Sequence, residues 1–153
     1  MKRFVLAAAA LVGTSLFISS CAEQVGSGEA VSVPSITVDC GNFRCNQNQN
    51  VRLIVRITPF DCSATSLNFA VATGGVENLT CNATSGCFAT VSNFVDGQGV
   101  PVTKIASGTY TVCGIVDINR DYPNNENQDS TAVETSVSVN ANTTSIRLED
   151  WNP

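Results

Sequence analysis

The chain contains no histidine, and that absence excludes a Ser-His-Asp triad, a Cys-His dyad and every histidine-containing zinc site. Charge is scarce too: 14% of the residues are charged, and eight Lys and Arg face thirteen Asp and Glu for a net charge of -5. An acidic chain with few cations is not built to neutralise phosphates, so nucleic acid is not an expected partner. No Cys-x-x-Cys pair occurs, which together with the missing histidine removes the usual zinc ligand sets. Gly74-Gly75 and Gly97-Gln98-Gly99 precede strand-like runs rather than helices, so no phosphate-cradling loop is present. After Ile18 no stretch has helical periodicity of useful length. What remains is a chain of 153 residues, 43% hydrophobic, the size of one domain and long enough to bury a core.

The N-terminus reads Met1-Lys2-Arg3, an apolar run from Phe4 to Ile18, then Ser19-Ser20-Cys21. A charged start, a short apolar stretch and small residues before a cleavage point make a secretory signal peptide. The run is shorter than the about twenty apolar residues a membrane span needs. Ile18-Ser19-Ser20-Cys21 resembles the lipobox of bacterial lipoproteins, in which an aliphatic residue and two small ones precede an invariant cysteine. The resemblance implies that residues 1–20 are removed and that the Cys21 thiol carries diacylglycerol as a membrane anchor. It also implies a cell-envelope location, with Ala22 favouring the outer membrane where the organism has one. Removing Lys2 and Arg3 leaves six basic against thirteen acidic residues, so the mature chain of 133 residues carries -7. An anionic surface repels anionic headgroups, so lipid rather than a basic patch would hold the protein to the membrane.

Assigning Cys21 to lipid leaves an even set: Cys40, Cys45, Cys62, Cys81, Cys87 and Cys113. Export places them in an oxidising compartment, where structural disulfides are the economical reading. Six cysteines allow fifteen pairings. The short spacings Cys40 to Cys45 and Cys81 to Cys87 are candidates for local bridges, which would leave Cys62 with Cys113.

Residues Ala22 to Pro34 are small, polar and without sustained periodicity, which predicts a flexible tether over 21–34 and a folded domain over 35–153. Within the domain the pattern has period two. Val51, Leu53, Val55 and Ile57 share one face while Arg52 and Arg56 lie on the other, a face read as solvated rather than as a site for an anionic partner. Ser35–Val38, Leu67–Val71, Phe88–Ser92, Val102–Ala106, Thr109–Ile118, Val133–Val139 and Thr144–Leu148 are further strand-like runs, separated by turn signals at Gly74-Gly75, Asp96-Gly97, Ser107-Gly108 and Asn140-Ala141-Asn142. About eight strands predict an all-β, antiparallel β-sandwich stapled by disulfides. Gly108-Thr109-Tyr110-Thr111-Val112 resembles the Gly-x-Tyr-x-hydrophobic entry to a late strand of immunoglobulin-like, fibronectin-like and transthyretin-like sandwiches. Cys113 stands one residue later than the antibody-type cysteine, and Trp151, near the C-terminal end, is not the core tryptophan of that family.

Asp117, Asn119 and Asp121 run off a strand at alternate positions, with Glu126 or Asp129 able to close an oxygen shell. That spacing suits calcium, which takes six to eight hard oxygens. Tyr122 replaces the glycine of an EF-hand loop and Pro123 follows it, and the same residues also read as a polar turn capping its own backbone. Phe43, Phe60 and Phe94 stand near loops, as ligand contacts or as plugs at the ends of the sandwich. The expectation is a non-catalytic envelope module that binds a protein or polysaccharide or serves structurally. The alternatives are calcium-dependent recognition and hydrolysis by a pair of carboxylates.

Overall fold

The computed structural model describes residues 28–47, 49–63, 69–124 and 128–152. Eleven strands and no α-helix lie among them. In chain order they are β1 (Ala30–Ser32), β2 (Ser35–Cys40), β3 (Gln49–Thr58), β4 (Ala72–Cys81), β5 (Cys87–Val91) and β6 (Phe94–Val95), followed by β7 (Lys104–Ala106), β8 (Gly108–Asp117), β9 (Ser130–Val139), β10 (Ser145–Leu148) and β11 (Trp151–Asn152). A six-stranded sheet runs β11-β9-β8-β3-β4-β6, a three-stranded sheet runs β10-β2-β5, and β1 pairs with β7. None of the three closes on itself. All neighbours are antiparallel except β10 and β2, a parallel pair in an architecture expected to be antiparallel throughout.

The alternation of β3 explains why this chain forms a sandwich. Val51, Leu53, Val55 and Ile57 point inward and are buried, while Arg52, Ile54 and Arg56 between them are only partly covered. Ile36 and Val38 of β2 and Leu148 of β10 join them, with Val112 and Val116 of β8, in one core cluster drawn from both sheets. Fully burying each such aliphatic side chain contributes about 1.5–3 kcal/mol.

Several expectations need correction. Gly74-Gly75 lies inside the ten-residue β4 rather than in a turn. A Cβ on Gly74 would stand 2.6 Å from the Asn93 carbonyl oxygen, and one on Gly75 2.1 Å from that of Leu53, so the pair marks a close backbone approach within a strand. The run around Leu67, Phe69 and Val71 is displaced: Leu67 lies outside the described residues, Phe69 is exposed, and pairing starts at Ala72. Ala30–Ser32, expected in the tether, pairs with β7 and buries Val31 against the core, so folded structure begins before residue 35. Of the two readings of Phe94, its burial on β6 fits the plug rather than the ligand contact. Trp151 is 8% exposed and packs over Gly114, where a Cβ would meet its ring at 2.7 Å. Its indole N–H donates to the Leu148 carbonyl at 3.1 Å, which gives a buried donor its partner.

The six cysteines of the domain form three disulfides: Cys40–Cys45, Cys62–Cys113 and Cys81–Cys87. Cys81–Cys87 ties the large sheet to the small one where β4 turns into β5. Cys40 stands opposite Cys87 in register, so two bridges meet at one end of the sandwich. Cys62–Cys113 instead pins the β3–β4 connection to the outer face of β8.

Candidate functional site

The residues predicted to hold calcium belong to the connection that leaves β8 at Asp117 and enters β9 at Ser130. Outward positions on β3 and β8 face each other in register: Arg56 opposite Cys113, Ile54 opposite Ile115, and Arg52 opposite Asp117. Odd and even positions of a strand point to opposite faces, so Arg52, Arg56 and Asp117 share the outer face of the large sheet.

That face is not solvated as expected, because the connection folds back over it. Arg52 Nε donates to Asp117 Oδ2 at 2.8 Å, and Nη2 of the same guanidinium is ion-paired with the same oxygen. Asp117 has no exposed side-chain surface, whereas the Arg52 side chain keeps 26%. Arg52 Nη2 also donates to the Tyr122 carbonyl at 3.2 Å. The Arg56 guanidinium lies 5.5 Å from the centre of the Tyr122 ring, and its Nη1 donates to the Tyr122 hydroxyl at 3.4 Å. A planar guanidinium both stacks on aromatic faces and pairs with carboxylates, and these two arginines divide those roles.

Three carboxylates converge in this connection. Asp117, Asp121 and Asp129 each bring an oxygen to within 4.8 Å of the others'. The backbone N–H of Asp121 donates to Asp117 Oδ1 at 3.2 Å, and that of Ile118 to Asp129 Oδ1 at 3.1 Å. Arg44 holds the other side by donating to the Asp129 carbonyl at 2.8 Å. Of the predicted ligands, then, Asp117, Asp121 and Asp129 come together. Asn119 is engaged elsewhere: its Nδ2 donates to Gln128 Oε1 at 3.2 Å, and its Oδ1 accepts the Asp121 N–H at 3.3 Å. Glu126 lies outside the described residues, as does Cys21.

Three carboxylates this close repel one another unless positive charge is shared among them. Arg52 supplies one such charge. A divalent cation could be held by one oxygen from each of Asp117, Asp121 and Asp129, with carbonyl or water oxygens completing the six to eight that calcium takes.

Above the same sheet face, between the Cys62–Cys113 bridge and Tyr122, lies a cavity of about 210 Å³ whose floor includes Ile115, Thr131 and Val133. Among the described residues its lining is mostly apolar and holds no carboxylate.

Searches against protein families, curated proteins and solved structures returned no match. The reading of the site therefore rests on its own geometry. Tyr122, Arg44 and Arg52 are the members that sequence reasoning did not place. The Tyr-Pro step inside an otherwise polar connection was the one local sign that an apolar surface would need a cover.

Proposed function

We propose that this chain is a lipid-anchored module of the bacterial cell envelope, a non-catalytic β-sandwich that serves structurally or in binding a protein or polysaccharide. One observation carries the reading. All six cysteines of the domain pair with one another, so the lipobox-like position Cys21 is the only cysteine of the chain outside the disulfide set. Three disulfides fit an exported protein, and an unpaired cysteine in such a protein calls for another use of its thiol. Here that use is thioether linkage to diacylglycerol, with the membrane as the first partner. Two or three acyl chains make attachment stable where one is marginal.

The finer assignment to an immunoglobulin-like sandwich is supported by Tyr110. Its hydroxyl donates to the Ala106 carbonyl at 2.7 Å, four residues upstream at the entry to β8. This is the arrangement of the tyrosine corner in that family.

A second reading is favoured by the convergence of Asp117, Asp121 and Asp129: calcium would tie the β8–β9 connection together and make recognition calcium-dependent. The main reading is tested by growing cells with labelled palmitate. Label on the wild type that disappears in Cys21→Ala supports the anchor, and label that survives the substitution defeats it.

A further inference from the structure

We infer that Phe60 and Phe69 are a membrane-facing pair, seated in the headgroup region of the same bilayer that holds the Cys21 lipid; the inference rests on the lipoprotein reading above. The two rings meet edge to face with centroids 5.8 Å apart, yet Phe60 is 43% and Phe69 61% exposed. Aromatic pairs are ordinarily buried, and an exposed apolar patch marks an interaction surface.

Their place in the fold says what covers them. β3 ends at Thr58, which stands opposite Thr111 near the start of β8, so the segment that carries Phe60 leaves the large sheet at that end. The N-terminus of the described domain lies at the same end. Ala30 pairs with Ala106, and the Ser107 N–H, just before β8, donates to the Glu29 carbonyl at 2.8 Å. From Cys21 to Gly28 there are seven residues, which span at most about 25 Å even when fully extended. The thirteen-residue tether read from the sequence is thus shortened to about half by the pairing of β1. The end of the sandwich that carries Phe60 and Phe69 is held within that reach of the bilayer surface.

The test uses the mature lipidated chain reconstituted into vesicles of phosphatidylethanolamine and phosphatidylglycerol, with and without bromine on the acyl chains. Phe60→Trp and Phe69→Trp place a reporter at exposed positions. The native Trp151 is an internal control, because its register partners Ala132, Gly114 and Val55 put it about 10 Å inside the sheet from the Thr58 end. The expected result is that each added tryptophan loses most of its emission in brominated vesicles, while the wild type loses none. Retained emission in both variants, with palmitate label on Cys21, overturns the inference and leaves the anchor standing. Lack of label on Cys21 overturns both. Emission that resists brominated lipid, but is shielded from an aqueous quencher only in native envelopes, assigns the pair to a protein partner and overturns the membrane assignment.

Discussion

Arg52 and Asp117 face each other across adjacent strands, and the guanidinium holds a carboxylate that has no exposed surface. The pair closes the β8–β9 connection onto the sheet, because the same arginine also reaches the Tyr122 carbonyl. Removing one partner of such a pair leaves an uncompensated buried charge, which costs about 3–5 kcal/mol. The partial exposure of Arg52 places Arg52→Met at the low end, about 3 kcal/mol, as read by urea unfolding. Asp117→Asn together with Arg52→Met should cost less than the two single changes added. Strict additivity would show that the two side chains do not act as a pair.

Calcium bears on the same cluster. If Asp117, Asp121 and Asp129 bind the ion, the unfolding midpoint rises in calcium relative to EGTA by an amount set by RT ln(1 + [L]/Kd). Arg52→Met, which removes the competing positive charge, should enlarge that rise. An identical midpoint in calcium and EGTA for both proteins would return the connection to a purely hydrogen-bonded turn.

The three disulfides differ in how much of the unfolded chain they restrain. Cys62–Cys113 closes a separation of 51 residues, against 5 for Cys40–Cys45 and 6 for Cys81–Cys87. Loop-closure entropy predicts a cost of about 4 kcal/mol for replacing Cys62 and Cys113 by serine, and about 2 kcal/mol for either local bridge. Urea titration of the three double variants measures the order, and a local bridge that costs more than the long one would contradict it.

Tyr110 makes stability depend on alkaline pH. Burial pushes its hydroxyl above the ordinary value of 10.0. Between the unfolded and folded values only the unfolded state loses the proton, so stability is full below pH 10 and falls as pH rises above it. Tyr110→Phe should flatten that fall and cost about 1 kcal/mol at neutral pH, because the Ala106 carbonyl loses its donor. The absorbance change missing from the variant should centre above pH 10; a centre below it would be inconsistent with burial of the hydroxyl.

Gly114 tests the packing of the C-terminal tryptophan. A side chain there meets Leu148 Cδ1 and the Trp151 ring, each at 2.7 Å. Gly114→Val should destabilise by about 1–3 kcal/mol through overpacking and alter the near-ultraviolet signal of Trp151. An unchanged signal would mean that the ring does not lie over the glycine.

The parts of this fold that were legible are those whose physics is local. Period-two alternation in Val51–Ile57 identifies an amphipathic strand whatever it pairs with, and the spacings Cys40 to Cys45 and Cys81 to Cys87 suit short bridges across turns. Strands of two or three residues such as β1, β6 and β11 carry no period to detect. Gly74-Gly75 misleads because glycine serves equally at a turn and at a close approach of two backbones, and only the neighbouring Leu53 and Asn93 carbonyls decide between them. The direction of β10 against β2 is likewise absent from a pattern that reads the same along either sense of the strand. At the candidate site, Asp117, Asp121 and Asp129 could be named from their spacing. Arg52, 65 residues away from Asp117, could not.

Composition and order alone establish that the domain is all-β, that it has no histidine to offer a catalyst or a zinc ion, and that one cysteine stands at a lipobox-like position outside an even set of six. These are properties of residue type and near neighbours. Tertiary structure decided that the outer arginines are partners of the acidic connection rather than a solvated face, that Trp151 belongs to the core, and that Phe60 and Phe69 lie at the end where the N-terminal segment leaves. Each of those outcomes depends on strand register and sheet order, which place residues far apart in the chain side by side. No short-range pattern encodes that placement.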